Sequence, residues 1–167
     1  MPNWCEGTLR VRGNSKNLAK FINEGLGAYK HDFEKCETVA IDKSEWLESS
    51  EKDGQIIFKL QSDNVHVHIE DTYRAFIDVH DEIILDLSLD DDVLYFDFQQ
   101  ACGCNPEEWV NLAKKYDLDF AVYGVDYSYL VCDIRVTEHG EKVEDNSIEY
   151  DNHNDFVFNC PFPWIGG

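Results

Sequence analysis

The sequence predicts an α+β fold, a ferredoxin-like antiparallel sheet with two helices on one face, extended by extra strands and hairpins. Three observations predict it. Two segments, near 15–26 and 106–116, carry apolar residues at helical period. Several runs between and after them alternate with period two. The order strand, helix, strands, helix, strands is that of a sheet covered by helices on one side.

Thr8-Leu9-Arg10-Val11-Arg12 alternates polar and apolar residues and reads as the first strand, ended by Gly13-Asn14-Ser15. The following helix places Leu18, Phe21, Ile22 and Leu26 on one face and leaves Lys16 and Lys20 in water. Residues 27–54 show no clear period beyond an amphipathic turn at Ser44-Glu45-Trp46-Leu47. Gln55–Leu60 and Val65–Glu70 return to period two and are expected to be strands joined at Ser62-Asp63-Asn64. Ile84–Leu89 and Val93–Phe98 flank Asp90-Asp91-Asp92, which predicts a hairpin with an acidic turn.

The second helix carries its own signals. Asn105 suits the N-cap and Pro106 the first turn, Glu107 and Glu108 complement the positive end of the dipole, and Lys114-Lys115 the negative end. Trp109, Leu112, Ala113 and Tyr116 form its buried stripe. Two strands, Phe120–Tyr123 and Ser128–Val136, precede a turn at His139-Gly140 and a short strand near Lys142-Val143. Residues 1–167 are expected to form a single acidic domain, with 147–167 as an aromatic tail packed on it. That tail offers Phe156, Phe158, Phe162 and Trp164, either to cover a sheet face or, through Pro161–Trp164, to dock on a partner or a second copy.

Charge narrows the function. The 167 residues hold 34 acids and 14 bases, net −20. Residues 1–62 are nearly balanced, with 10 acids and 9 bases, whereas 63–167 hold 24 acids and 5 bases. Direct nucleic-acid binding draws on Lys and Arg that neutralise phosphates, and docking on anionic lipid draws on the same residues, so both are disfavoured. The 22 aromatic residues supply a core that disordered acidic chains lack. The N-terminus shows no basic region followed by an apolar stretch, which points to a cytoplasmic protein, with reduced cysteines as the expectation.

Met1-Pro2-Asn3-Trp4-Cys5, followed by a short strand, Gly13 and an amphipathic helix, resembles the YubB-type ferredoxin-like domain family of plasmids and phages. The run from Tyr95 to Val143 is similar in order to that family's C-terminal half: a strand rich in Phe and Asp, a polar turn, a Pro-started helix with Trp109, and a strand pair. The likeness covers residues 1–26 and 93–143, while the middle departs from the family's Trp/Gly-rich pattern. It implies a ferredoxin-like topology and a mobile-element setting, and carries over no catalytic residues.

The acidic run is the strongest functional signal. Between Arg74 and Lys114 lie Asp78, Asp81, Glu82, Asp86, Asp90, Asp91, Asp92, Asp97, Glu107 and Glu108, with no Lys or Arg. Such carboxylates repel one another, so either they only solubilise the chain or they meet a basic partner. Acids at i and i+2 of a strand stand about 6.6–6.8 Å apart, comparable to successive phosphates. The expectation is a non-enzymatic protein whose Asp78, Asp81, Glu82, Asp86, Asp90, Asp91, Asp92 and Asp97 engage a basic protein such as a host nuclease. With the setting that the family resemblance implies, this becomes a DNA-mimic inhibitor of a host nucleic-acid-targeting defence system, an anti-CRISPR for example, or else an accessory protein of plasmid maintenance or conjugation.

The alternative is a metal-binding module or metal-dependent enzyme. His66 and His68 project to one strand face with Glu70, a workable part of a zinc ligand set that His80 or Asp78 would complete. The bland reading of these histidines is a polar strand face. Cys102-Gly-Cys104 lacks the two-residue gap of common redox and zinc motifs and reads as a packed turn. Nucleophile-elbow, zincin, Walker and dinucleotide motifs are absent, and no cofactor is expected.

Overall fold

A computed structural model describes residues 3–32, 36–61, 65–80, 82–126 and 128–160. The chain runs β1 (Trp4–Gly13), α1 (Ser15–Gly25), β2 (Leu26–Asp32), β3 (Glu37–Ile41), α2 (Lys43–Trp46), β4 (Leu47–Lys52), β5 (Gln55–Leu60), β6 (His66–Ile69), β7 (Ala75–Asp78), β8 (Glu82–Asp86), β9 (Asp92–Ala101), α3 (Pro106–Tyr116), β10 (Asp119–Asp126), β11 (Leu130–Val136), β12 (Lys142–Glu149) and α4 (His153–Asn159).

Nine strands form one antiparallel sheet in the order β12-β11-β10-β1-β9-β7-β6-β2-β3, and β4-β5-β8 form a second. The protein is therefore predominantly β, and the expectation of a ferredoxin-like α+β fold with two helices is corrected. The discrepancy arises largely in residues 27–54, which supply β2, β3, α2 and β4. β3 and most of β4 are exposed, so neither shows the alternation that betrays a half-buried strand.

Both long helices form as their local signals require. Asn14 caps α1 by accepting from the Asn17 amide, and Asn105 caps α3 by accepting from Glu107 with Pro106 in the first turn. Asp117 ends α3 in the left-handed conformation. The carbonyls of Ile22 and Leu26, at the end of α1, accept from the Lys43 ammonium. On the sheet, Leu9 and Val11 of β1, Phe96 and Phe98 of β9, and Val122 of β10 point into one core with Phe21, Ile22, Trp109 and Leu112 of the helices. Phe58, Ile83 and Leu85 of the small sheet belong to that same core. The opposite face is covered at its β10–β11 end by α4, where Tyr123, Val125, Val131, Phe156 and Cys160 cluster.

Two pairings differ from expectation. β5 and β6 are strands, but they lie in different sheets; the Ser62–Asn64 segment expected to join them is outside the described residues. β8 and β9 do not form the expected hairpin either: β8 pairs with β5, whereas β9 pairs with β1 and β7. Asp86 accepts from the amide and hydroxyl of Ser88, turning the chain out of β8, so Asp90-Asp91-Asp92 leads from one sheet to the other. The segment from 147 is more ordered in type than a tail: it completes β12 and forms α4, with Phe156 buried and Phe158 89% exposed. Residues 161–167, with Phe162 and Trp164, lie outside the described residues. Among the described residues no helix is long and apolar enough to cross a membrane.

Candidate functional site

Of the eight acids singled out from sequence, the seven among the described residues do not share one surface. Asp78 and Asp97 stand directly opposite each other across β7 and β9, both exposed, on the face turned away from α1 and α3. Like charges so placed are destabilising. His80 is 3.8 Å from Asp97, and among the described residues no Lys or Arg forms an ion pair with either carboxylate. Glu82 sits on the small sheet and pairs with Lys59 at 3.8 Å. Asp86 is held by Ser88, whose hydroxyl and amide keep its carboxyl below the usual range. Asp90 and Asp91 are exposed on the connection, where Asp91 interacts electrostatically with Arg12, and Asp92 accepts from the Val93 amide. Asp81 lies outside the described residues. Lys59 and Lys142, from distant parts of the chain, thus pair with carboxylates that look uncompensated along the sequence, Lys59 with Glu82 and Lys142 with Glu107 at 3.2 Å.

The same sheet face changes sign along its length. Arg10, Arg12, Tyr95, Asp119, Arg135 and Val143 border an open cleft of about 430 Å³. Arg12 bonds Asp119, and Arg135 pairs with Asp133 and Glu144 at 3.5 and 3.7 Å. Tyr95 projects from it with 71% of its surface exposed. The acidic end of this face is therefore centred on Asp78 and Asp97.

His66 and His68 do share a face of β6, yet they serve different surroundings. His66 is exposed, whereas His68 stacks on Tyr29 with ring centroids 4.4 Å apart and lies 3.1 Å from Glu70. Neither joins a group of three or more metal-type ligands among the described residues.

Such a group exists elsewhere. Cys5 on β1, Cys132 on β11 and Cys104 just before α3 bring their sulfurs within 4.8 Å of one another. β10 runs between β1 and β11, with Gly124 opposite Cys132 on one side and Gly7 on the other. A Cβ at Gly124 would lie 2.5 Å from Cys5 Sγ, so the absence of a side chain there leaves room for the sulfur. Cys104 donates to Cys5 across 3.6 Å. Bonds from Cys104 and then Cys5 favour the Cys132 thiolate and hold its pKa well below the ordinary thiol range. For Cys5 the bond from Cys104 acts in the same sense, but the bond to Cys132, burial, and the nearby charges of Cys132 and Asp126 outweigh it and raise the pKa. Cys104 is raised by its bonds to Cys132 and Cys5 and by burial. The bonds that favour the Cys132 thiolate thus disfavour ionisation of Cys104, while burial and the bond to Cys132 disfavour that of Cys5.

Asp126 beside it is buried and fully engaged: one oxygen accepts from Asn3, the other from the Ser128 amide and hydroxyl and the Leu130 amide. Cys102-Gly-Cys104, which reads in the sequence as a packed turn, divides in the structure: Cys102 is exposed, and Cys104 joins Cys5 and Cys132. No spacing motif links positions 5, 104 and 132. The local signal is a cysteine at an inward-facing place of each of two strands, β1 and β11.

Comparison with protein-family models, curated proteins and solved structures finds no match.

Proposed function

We propose that this is a non-enzymatic binding protein whose acidic sheet face engages a basic protein partner. The observation that carries the reading is the Asp78–Asp97 pair. Two exposed carboxylates occupy directly opposed cross-strand positions, an arrangement that costs stability in the free protein and is relieved by a cation from outside. The excess of acids over bases in residues 63–167 supplies a longer-range field that draws in such a partner. A nucleic-acid-binding protein, with its groove of Lys and Arg, is the partner class best suited to that field; under the YubB-type resemblance it is a host nucleic-acid-targeting complex. The contact is centred on the sheet face and not on an acidic hairpin.

The experiment is affinity capture from a bacterial lysate at low and high salt, followed by reconstitution with the purified captured protein. A basic partner released by salt, whose affinity falls at least about tenfold with Asp78→Lys/Asp97→Lys and less with Asp90→Lys/Asp91→Lys, supports the reading. Binding that ignores both salt and the first pair of substitutions refutes it, as does the absence of any basic protein at low salt.

A further inference from the structure

We propose that Cys5, Cys104 and Cys132 form a binding site for one thiophilic metal ion, Zn2+, with its fourth coordination position open to the cleft beside β11 and β12. The geometry is close to that of a ligand set. A tetrahedral zinc ion with Zn–S bonds of about 2.3 Å separates its sulfurs by about 3.8 Å. Cys5 and Cys104 stand 3.6 Å apart, and all three sulfurs fall within 4.8 Å. Small side-chain rotations bring them to a common centre.

The sulfurs are supported from three directions. β1 and β11 are held in register on either side of β10, and Cys104 is fixed by the capped start of α3. Gly124 keeps the place between them clear, since a side chain there would collide with Cys5 Sγ. Such preorganisation lowers the ordering that metal binding demands. Three thiols clustered by tertiary structure also differ from a pair poised for a disulfide: oxidising Cys5 with Cys104 would leave Cys132 unused. The chemistry of the donors selects the ion class, because sulfur-only sites favour Zn2+ and other soft or borderline metals over Mg2+ or Ca2+.

A cleft of about 300 Å³ lies against the cluster, bordered by Cys102, Cys104, Asn105, Cys132, Asp145 and Asn146. Asp126, the nearest buried carboxylate, already accepts from Asn3, Ser128 and Leu130 and is not among the clustered ligand atoms. The fourth ligand therefore comes from the cleft, as water or an exogenous donor. This site is distinct from the acidic sheet face and from His66 and His68.

The test uses the full chain, reduced and stripped of metal with a chelator. It is titrated with Zn2+ against a chromophoric competitor and, separately, with Co2+ while thiolate-to-metal charge-transfer bands are recorded. One Zn2+ per chain, Co2+ thiolate bands and proton release on binding are expected. Cys104→Ser and Cys132→Ser should each weaken Zn2+ binding at least about 100-fold, with Cys102→Ser and His66→Ala/His68→Ala at wild-type affinity. Should the serine variants fail to fold, alkylation of the unaltered protein decides: Zn2+ must slow modification at the partly exposed Cys104 and leave the exposed Cys102 as reactive as before. Wild-type affinity in folded Cys104→Ser and Cys132→Ser overturns the proposal. So does a lack of Zn2+-dependent protection at Cys104, or recovery of the untreated protein with Cys5 and Cys104 joined as a disulfide.

Discussion

Substituting Gly124→Ala probes the packing that gathers the three thiols. The new methyl would stand 2.5 Å from Cys5 Sγ and 3.8 Å from Cys104 Sγ. Carbon atoms prefer separations of about 3.5–4.0 Å and sulfur is larger, so the Cys5 sulfur must retreat by roughly 1 Å or more. Cys5 is only 1% exposed, and its neighbours must yield with it. Overpacking of this kind costs about 1–3 kcal/mol. The glycine is not in the left-handed region, so alanine also restricts the unfolded chain, which offsets about 0.4–1 kcal/mol. The net expectation is destabilisation by up to about 2.6 kcal/mol, and for a domain of this size each kcal/mol lowers Tm by about 2–4 °C.

Urea denaturation of the wild type, Gly124→Ala, Cys5→Ala and the double variant, all with reductant and chelator, separates the clash from other effects. Because the collision is with the sulfur, Cys5→Ala should remove most of the cost of the added methyl, giving a coupling of about 0.5 kcal/mol or more. Additivity of the two substitutions within about 0.3 kcal/mol would refute the close approach of Gly124 to Cys5.

Other expectations concern the rest of the molecule. Asp97→Lys replaces a repulsive cross-strand pair by an attractive one, so urea denaturation should show stabilisation by about 0.2–1 kcal/mol even as partner binding weakens. Trp109 is fully buried, with its ring 5.6 Å from Phe98 and 5.8 Å from Phe120, and Trp109→Ala should cost about 3–5 kcal/mol in the same assay. Burial lowers the Lys43 pKa to about 8 against the opposing pull of Glu70, so between that pH and the ordinary lysine value the unfolded chain binds more protons than the folded one. Stability relative to Lys43→Met should therefore rise as pH rises through that window, followed by denaturant midpoints; a flat or falling difference would contradict the shift.

Features set by neighbours a few residues apart are legible along the chain. Asn14 and Asn105 mark the helix starts because a cap bonds amides two or three positions on, and Leu18, Phe21 and Ile22 mark the buried face of α1 because helical period is local. Alternation along Val93–Phe98 likewise marked a strand. Strand partners are set by the three-dimensional fold. β9 turns from the adjacent β8 to pair with β1, about ninety residues earlier, and β5 and β6 separate into two sheets. A strand's period fixes which residues face the core but carries no address for the neighbouring strand, and exposed strands such as β3 lack even the period. The same limit divides the sites. Acidity was countable, but its pairing with Lys59 and Lys142, and the facing of Asp78 and Asp97, came with the tertiary fold. The thiol cluster follows from the same cause: Cys5 and Cys132 meet because β10 offers a glycine between their strands, and Cys104 joins them because α3 begins there.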